Sequence, residues 1–116
     1  LVLSARLKLA WGEAEAIRTQ MSELMARRRE KQPLEYPSAG SVFKRPQGHY
    51  AAALIDQCGL KGLTIGGAQV SAKHAGFIVN IGMATCRDVL DLIGVVRDCV
   101  YRVTGVELEP EVKYLK

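Results

Sequence analysis

The chain is poor in the features that mark secretion, membrane insertion or metal binding. Its three cysteines, Cys58, Cys86 and Cys99, are an odd number without C-x-x-C spacing. Neither a disulfide framework nor a zinc cluster is expected, and a reducing cytoplasm is the expected location. No apolar run reaches the roughly 18 residues of a membrane span. Charged and apolar residues mix from the first position, unlike a signal or transit peptide. Aromatics are scarce, with one Trp, four Tyr and two Phe. A nucleic-acid module would interleave exposed aromatics with a continuous basic face, and this composition offers little of either.

What is present fits one small globular domain: 116 residues, 48% hydrophobic, with a net charge of +4. The mild basic excess is compatible with an anionic small molecule or phosphate. The chain opens on Leu1 rather than Met, and its first segment already carries a structural pattern, which leads us to expect a piece of a longer protein.

Residues 1–9 alternate Leu3, Ala5, Leu7 and Leu9 against Ser4, Arg6 and Lys8, the period of a half-buried strand. From Glu13 to about Glu30 the period becomes helical, with Ala14, Ile17, Met21, Leu24 and Met25 on one stripe. Extending that spacing turns Arg28 toward the interior and leaves Arg27 and Arg29 to solvent. Pro33, Pro37 and Gly40 make 32–41 an extended loop, followed by a short strand at Ser41–Lys44. A short helix after Gly48 buries Ala51, Leu54, Ile55 and Cys58 and stops at Gly59. Leu63–Ile65 is a strand leading into a Gly66-Gly67 turn, and Phe77–Asn80 is a strand apolar enough to be buried on both faces.

Thr85 and Asp88 form a capping pair for a last helix over roughly 86–104. Its core stripe is Val89, Leu92, Ile93, Val96, Val100 and Val103, and Gly105 ends it. Extended segments at 106–108 and 112–114 close the chain around Pro110. The expected fold is α+β, a small mixed or antiparallel sheet packed against about three helices.

Four segments could carry chemistry. Ser41 follows Gly40 at the start of a strand, where its hydroxyl can meet a ligand; a turn serine bonding its own backbone is the plainer alternative. The hydrolase elbow G-x-S-x-G is absent, since 39 is Ala and 43 is Phe. Lys61 beside Gly62, with Gly66-Gly67 nearby, could approach phosphate oxygens, although two turns and a surface lysine explain the segment equally well. His74 is a lone histidine with no clear metal spacing to His49, and no metal site is expected. Glu107, Glu109 and Glu111 alternate on a segment interrupted by Pro110, which a solvated edge would also explain.

Taken in order, the blocks resemble one family. They are Gln32-Pro33-Leu34-Glu35, Pro37-Ser38-Ala39-Gly40-Ser41-Val42-Phe43-Lys44, Gly59-Leu60-Lys61-Gly62, Ile65-Gly66-Gly67-Ala68, Lys73-His74-Ala75-Gly76-Phe77-Ile78-Val79-Asn80 and Leu108-Glu109-Pro110-Glu111-Val112. Together they resemble the UDP-N-acetylenolpyruvoylglucosamine reductases, also called UDP-N-acetylmuramate dehydrogenases, in their shorter second type. The resemblance implies the substrate-binding C-terminal domain, at residues 12–116, of a peptidoglycan-precursor reductase. Residues 1–11 would be the end of, or a connection from, an FAD-binding domain that this sequence lacks.

In that family NADPH reduces FAD, and reduced flavin passes hydride to the enolpyruvyl ether of a UDP-sugar substrate. The resemblance implies Ser41 as the proton donor to the resulting carbanion and Glu111 as the acid that stabilises it, a carboxyl kept protonated by burial or by the substrate carboxylate. It implies Arg28, Lys61 and His74 as substrate contacts, Lys61 at the diphosphate. Cofactor residues would lie in the absent domain, the partner in cis, so the chain alone is expected to bind no FAD and to be inactive. Lys116 stands where the family more often has Gly. The alternative is a non-enzymatic basic module that binds a nucleotide or nucleic acid; the family reading implies neither nucleic acid nor membrane as a partner.

Overall fold

The computed structural model describes residues 2–115; Leu1 and Lys116, the position where the family more often has Gly, lie outside the described residues. Seven elements follow in order: α1 (Ala14–Lys31), β1 (Ser38–Ser41), α2 (Ala51–Gln57), β2 (Thr64–Ile65), β3 (Ala68–Val70), β4 (Phe77–Asn80) and α3 (Cys86–Thr104). The chain divides into two compact units, Leu1–Glu30 and Lys31–Lys116. No helix is long and apolar enough to cross a membrane among the described residues.

In the first unit the Glu13 carboxylate accepts the backbone N–H of Glu15 and of Ala16, at 3.0 and 2.6 Å, and so starts α1. Two expectations fail here. Residues 2–13 form no strand, and Leu3, Leu7 and Leu9 are 79–87% exposed. Alternation defines a face, but a strand also needs a neighbour to complete its hydrogen-bond ladder. Nor does α1 bury any residue: Ile17, Met21, Leu24 and Met25 are all exposed, and Arg28 at the end of their stripe is exposed rather than turned inward. Helical phase decides which residues share a face, and a packing partner decides whether that face is inside.

The second unit is α+β, as expected, and its sheet is wholly antiparallel with strand order β1-β4-β3-β2. β2 and β3 form a hairpin around Gly66-Gly67, where the sequence pattern predicts a strand only at Leu63–Ile65 and a turn. β4 is interior to the sheet, and Phe77, Ile78 and Val79 are buried as its composition predicts. α3 packs across β2 and β3, and α2 packs on α3.

The last helix follows its sequence signals closely. Thr85 Oγ1 accepts the Asp88 N–H at 3.1 Å, and the Asp88 carboxylate accepts the Thr85 N–H at 2.8 Å. Gly105, left-handed at φ +72°, stops the helix with its N–H on Tyr101 O. Leu92, Ile93, Val96 and Val100 are buried, but Val103, in the final turn, is 62% exposed. The helix runs past the end of the core there, leaving nothing to cover the expected position.

The expected strand at Ser41–Lys44 is displaced: β1 occupies Ser38–Ser41 and pairs with β4. Val42 and Phe43 are still buried, because the chain continues from β1 into the core alongside the C-terminal segment.

Candidate functional site

Ser41 ends β1 opposite Phe77, the first residue of β4, and the register shifts between Ser38 and Ser41. A bulge of this kind re-aims the side chain beyond it. Gly40 supplies the needed conformation at φ +88°, which a residue with a Cβ adopts only at a cost. The local turn bond belongs to the other serine of the segment: Ser38 Oγ accepts the Gly40 N–H at 3.3 Å. Ser41 is exposed, and its successor Val42 donates its N–H to Gly76 O at 2.9 Å.

Glu111 reaches Ser41 from the far end of the chain. The Lys44 N–H donates to Glu109 O at 2.9 Å and the Glu111 N–H to Val42 O at 2.7 Å, with Phe43 facing Pro110 between them. This makes Phe43–Pro110 a non-hydrogen-bonded pair of an antiparallel ladder, so the missing Pro110 N–H leaves no rung unmade. The Lys44 ammonium and Glu109 carboxylate join the same two segments through their side chains. Ser41 and Glu111 consequently line one open pocket of about 430 Å³ with Ala39 and Val112. Next to it lies an apolar groove of about 400 Å³, which shares Ala39 and Val112 and is floored by Val42, Ile78 and Val89. Lys44 and Glu109 fall within the blocks that carry the resemblance, but only the pairing of segments far apart in the chain reveals that they join.

The other sequence-predicted residues do not line that pocket. Lys61 lies in the turn before β2, at the same end of the sheet as Ser41 but across three strand spacings, roughly 14 Å. Its ammonium is 2.8 Å from the Asp56 carboxylate. The glycines near it are used internally. Gly62 N–H donates to Val70 O at 2.8 Å, and a Cβ on Gly67 would lie 2.1 Å from Gly82 O. The Gly67 N–H also bonds the Asp88 carboxylate, one of the hydrogen bonds, after those from Thr85, that hold Asp88 below the usual carboxylate range. Two backbone donors of the glycine segments, the Gly62 and Gly67 N–H groups, are thus already engaged within the domain.

His74 sits in the turn between β3 and β4. Its Nδ1 accepts the Gly76 N–H at 3.2 Å and its ring meets Phe77 edge-on at 5.0 Å, so one face of the imidazole is structural. Nε2 therefore carries the proton of the neutral ring. Arg28 belongs to the first unit. Among the described residues no three His, Cys, Asp or Glu side chains are grouped to hold a metal ion.

A model of the family described as UDP-N-acetylenolpyruvoylglucosamine reductase, C-terminal domain, matches residues 32–115. The chain belongs to this family. A UDP-N-acetylenolpyruvoylglucosamine reductase of Caldanaerobacter subterraneus is 57% identical over 113 residues, which are 97% of this chain and 37% of that protein. One from Latilactobacillus sakei is 56% identical over 115 residues, 99% of this chain and 38% of its own length. The crystal structure of the UDP-N-acetylenolpyruvylglucosamine reductase (MurB) of Thermus caldophilus superposes with a TM-score of 0.76 at 40% identity, covering 93% of this chain and 38% of that one. The chain thus spans a little over a third of the length of the reductases it matches.

Proposed function

We propose that this chain is the substrate-binding part of a reductase that converts UDP-N-acetylglucosamine enolpyruvate to UDP-N-acetylmuramate, with Ser41 as the proton donor and Glu111 as the stabilising acid. The observation that carries the reading is the shared pocket of Ser41 and Glu111, built from opposite ends of the domain. Relatives named for the same substrate align over nearly the whole chain.

FAD, reduced by NADPH, is the proposed source of hydride, and it would be held by a domain outside this chain, because the glycine segments here are engaged internally. What this chain contributes is the handling of the proton and the substrate. Hydride addition to the vinyl carbon leaves negative charge on the carbon next to the substrate carboxylate. Ser41, at the pocket edge, delivers its hydroxyl proton to that carbon and is left as an alkoxide that nearby positive charge must support. The Glu111 carboxyl, which lines the same pocket, is the proposed acid that stabilises the delocalised anion. Both groups are exposed here, so the dry surroundings that make such transfers efficient would come from the substrate and the companion domain. Lys61 would meet the diphosphate, giving up its Asp56 partner to do so. Arg28 and His74 Nε2–H are further proposed substrate contacts.

The test is Ser41→Ala in the full-length reductase. Loss of the proton donor should slow product formation by about 10²–10⁴-fold while substrate still binds. If flavin still reoxidises on addition of the enolpyruvyl substrate and product forms at an unchanged rate, Ser41 is not the acid. No specific observation favours the basic nucleotide- or nucleic-acid-binding module. Arg18, Lys44, Lys61, Lys73, Arg87 and Arg97 are each paired with a carboxylate, which breaks up the positive surface.

A further inference from the structure

We infer that Arg97, on α3, is a positioning residue for Glu111, acting through the C-terminal strap of residues 106–112. This rests on the role proposed above for Glu111.

The strap has no regular secondary structure beyond the single bridge at Pro110, so its position depends on a few anchors. Leu108 is a plug, fully buried in the core beside α3. Arg97 Nε donates to Leu108 O at 2.9 Å in a part-buried setting, and its Nη2 reaches the Glu107 carboxylate at 3.3 Å. One guanidinium thus holds the strap on both sides of the residue 107–108 peptide. A planar fork is suited to this: it fixes direction as well as distance, which a lysine ammonium does not. Arg97 is itself set on α3 between the buried Val96 and the core-facing turn of Val100, so its base does not move independently of the core.

Beyond Leu108 the strap runs extended for three residues to Glu111, about 10 Å. Along that stretch it is held by the Lys44 and Glu111 backbone bonds and by the exposed Lys44–Glu109 pair. An exposed pair contributes little by itself. The charge-assisted bond to a backbone carbonyl next to the plug is the stronger restraint. Releasing it lets the strap slide along residues 42–44, and Glu111 leaves the pocket it shares with Ser41. Misplacement of a reacting group by about 1 Å is enough to cost orders of magnitude in rate.

The experiment uses the full-length reductase with Arg97→Met, Arg97→Lys, Glu111→Ala and the Arg97→Met/Glu111→Ala pair. Turnover is measured together with amide hydrogen exchange. Arg97→Met should lower kcat about tenfold with KM for NADPH unchanged, and Arg97→Lys should lower it less. Exchange should quicken at the Lys44 and Glu111 amides and stay unchanged in β3, β4 and α3. In the Glu111→Ala background Arg97→Met should have no further effect on kcat, because the group it positions is gone. Unchanged kcat in Arg97→Met, or the same fold-loss on top of Glu111→Ala, overturns the inference. If Glu111→Ala slows turnover and Arg97→Met does not, only this inference falls. If Glu111→Ala leaves turnover intact, the role of Glu111 falls and this inference with it. Should Arg97→Met not fold, Arg97→Lys decides: quicker exchange at those two amides with a lower kcat supports the inference, and no change in either overturns it.

Discussion

Replacing Gly67 by Ala tests whether the Gly66-Gly67 turn exists for packing. A Cβ at position 67 would sit 2.1 Å from Gly82 O, 2.4 Å from Ala84 N and 2.8 Å from Ala84 Cα, whereas real Cβ atoms essentially never approach within 3.0 Å. All three neighbours are backbone, so no side chain can swing aside, and the 82–84 segment must retreat by nearly an ångström. That segment is tied down. Asn80 Oδ1 accepts the N–H of Gly82 and of Ala84 at 2.9 and 3.1 Å, and the Ile81 N–H bonds Gly67 O at 2.9 Å. Overpacking against fixed backbone lies at the upper end of the usual range, about 3 kcal/mol or more. For a domain of this size that is a fall in Tm of at least about 12 °C, read by calorimetry or far-ultraviolet circular dichroism. Gly94→Ala is the matched control: it lies within α3, and its Cβ would meet nothing within 4 Å. It should stabilise the domain by about 0.5–1 kcal/mol, since alanine gives up less backbone entropy in a helix. A Gly67→Ala variant melting within about 2 °C of the parent would refute the packing argument and return the glycine pair to the phosphate reading.

Two further outcomes follow from the titrating groups. Asp88 is held below the usual carboxylate range mainly by the Thr85 backbone and hydroxyl hydrogen bonds. A depressed folded-state value means stability that is present above the unfolded-state pKa and is lost as pH falls through the lowered one. Chemical denaturation from neutral pH downward should therefore show Asp88→Asn losing less stability on acidification than the parent. Parallel acid limbs would contradict the capping account. Glu13, lowered by the Glu15 and Ala16 N–H groups, acts in the same direction in both proteins and cancels in the comparison. Burial, with the neighbouring Cys99, pushes the Cys58 thiol up, so less thiolate is available at neutral pH, whereas Cys86 is exposed. Iodoacetamide followed by mass spectrometry should find Cys86 modified first and Cys58 late; equal rates would mean that α2 and α3 open readily.

The parts of this fold that were legible in the sequence are those with local causes. The Thr85–Asp88 box, the apolar stripe of α3 and Gly105 each act within a few residues, and the helix follows all three. β4 was legible from Phe77-Ile78-Val79, because an interior strand needs apolar residues on both faces. The two ends of the site were legible by resemblance alone; read locally, Ser41 was better explained as a turn serine.

Other features depend on partners distant in the chain. Residues 2–9 have the alternation of a strand without a neighbour to bond, and α1 has a stripe that nothing in its own unit buries. The pairing of 42–44 with 109–111 is a matter of register between remote segments, and no local pattern records it. By itself the sequence determined which residues could face a core, where α3 starts and stops, and that Ser41 and Glu111 were the groups to follow. Only the tertiary structure decided that Gly67 is a contact surface, that Arg28 is exposed, and that the pairing of 109–111 with 42–44 puts Glu111 in one pocket with Ser41. The physical reason is that propensity and capping are short-range, whereas burial and register exist only once two segments meet.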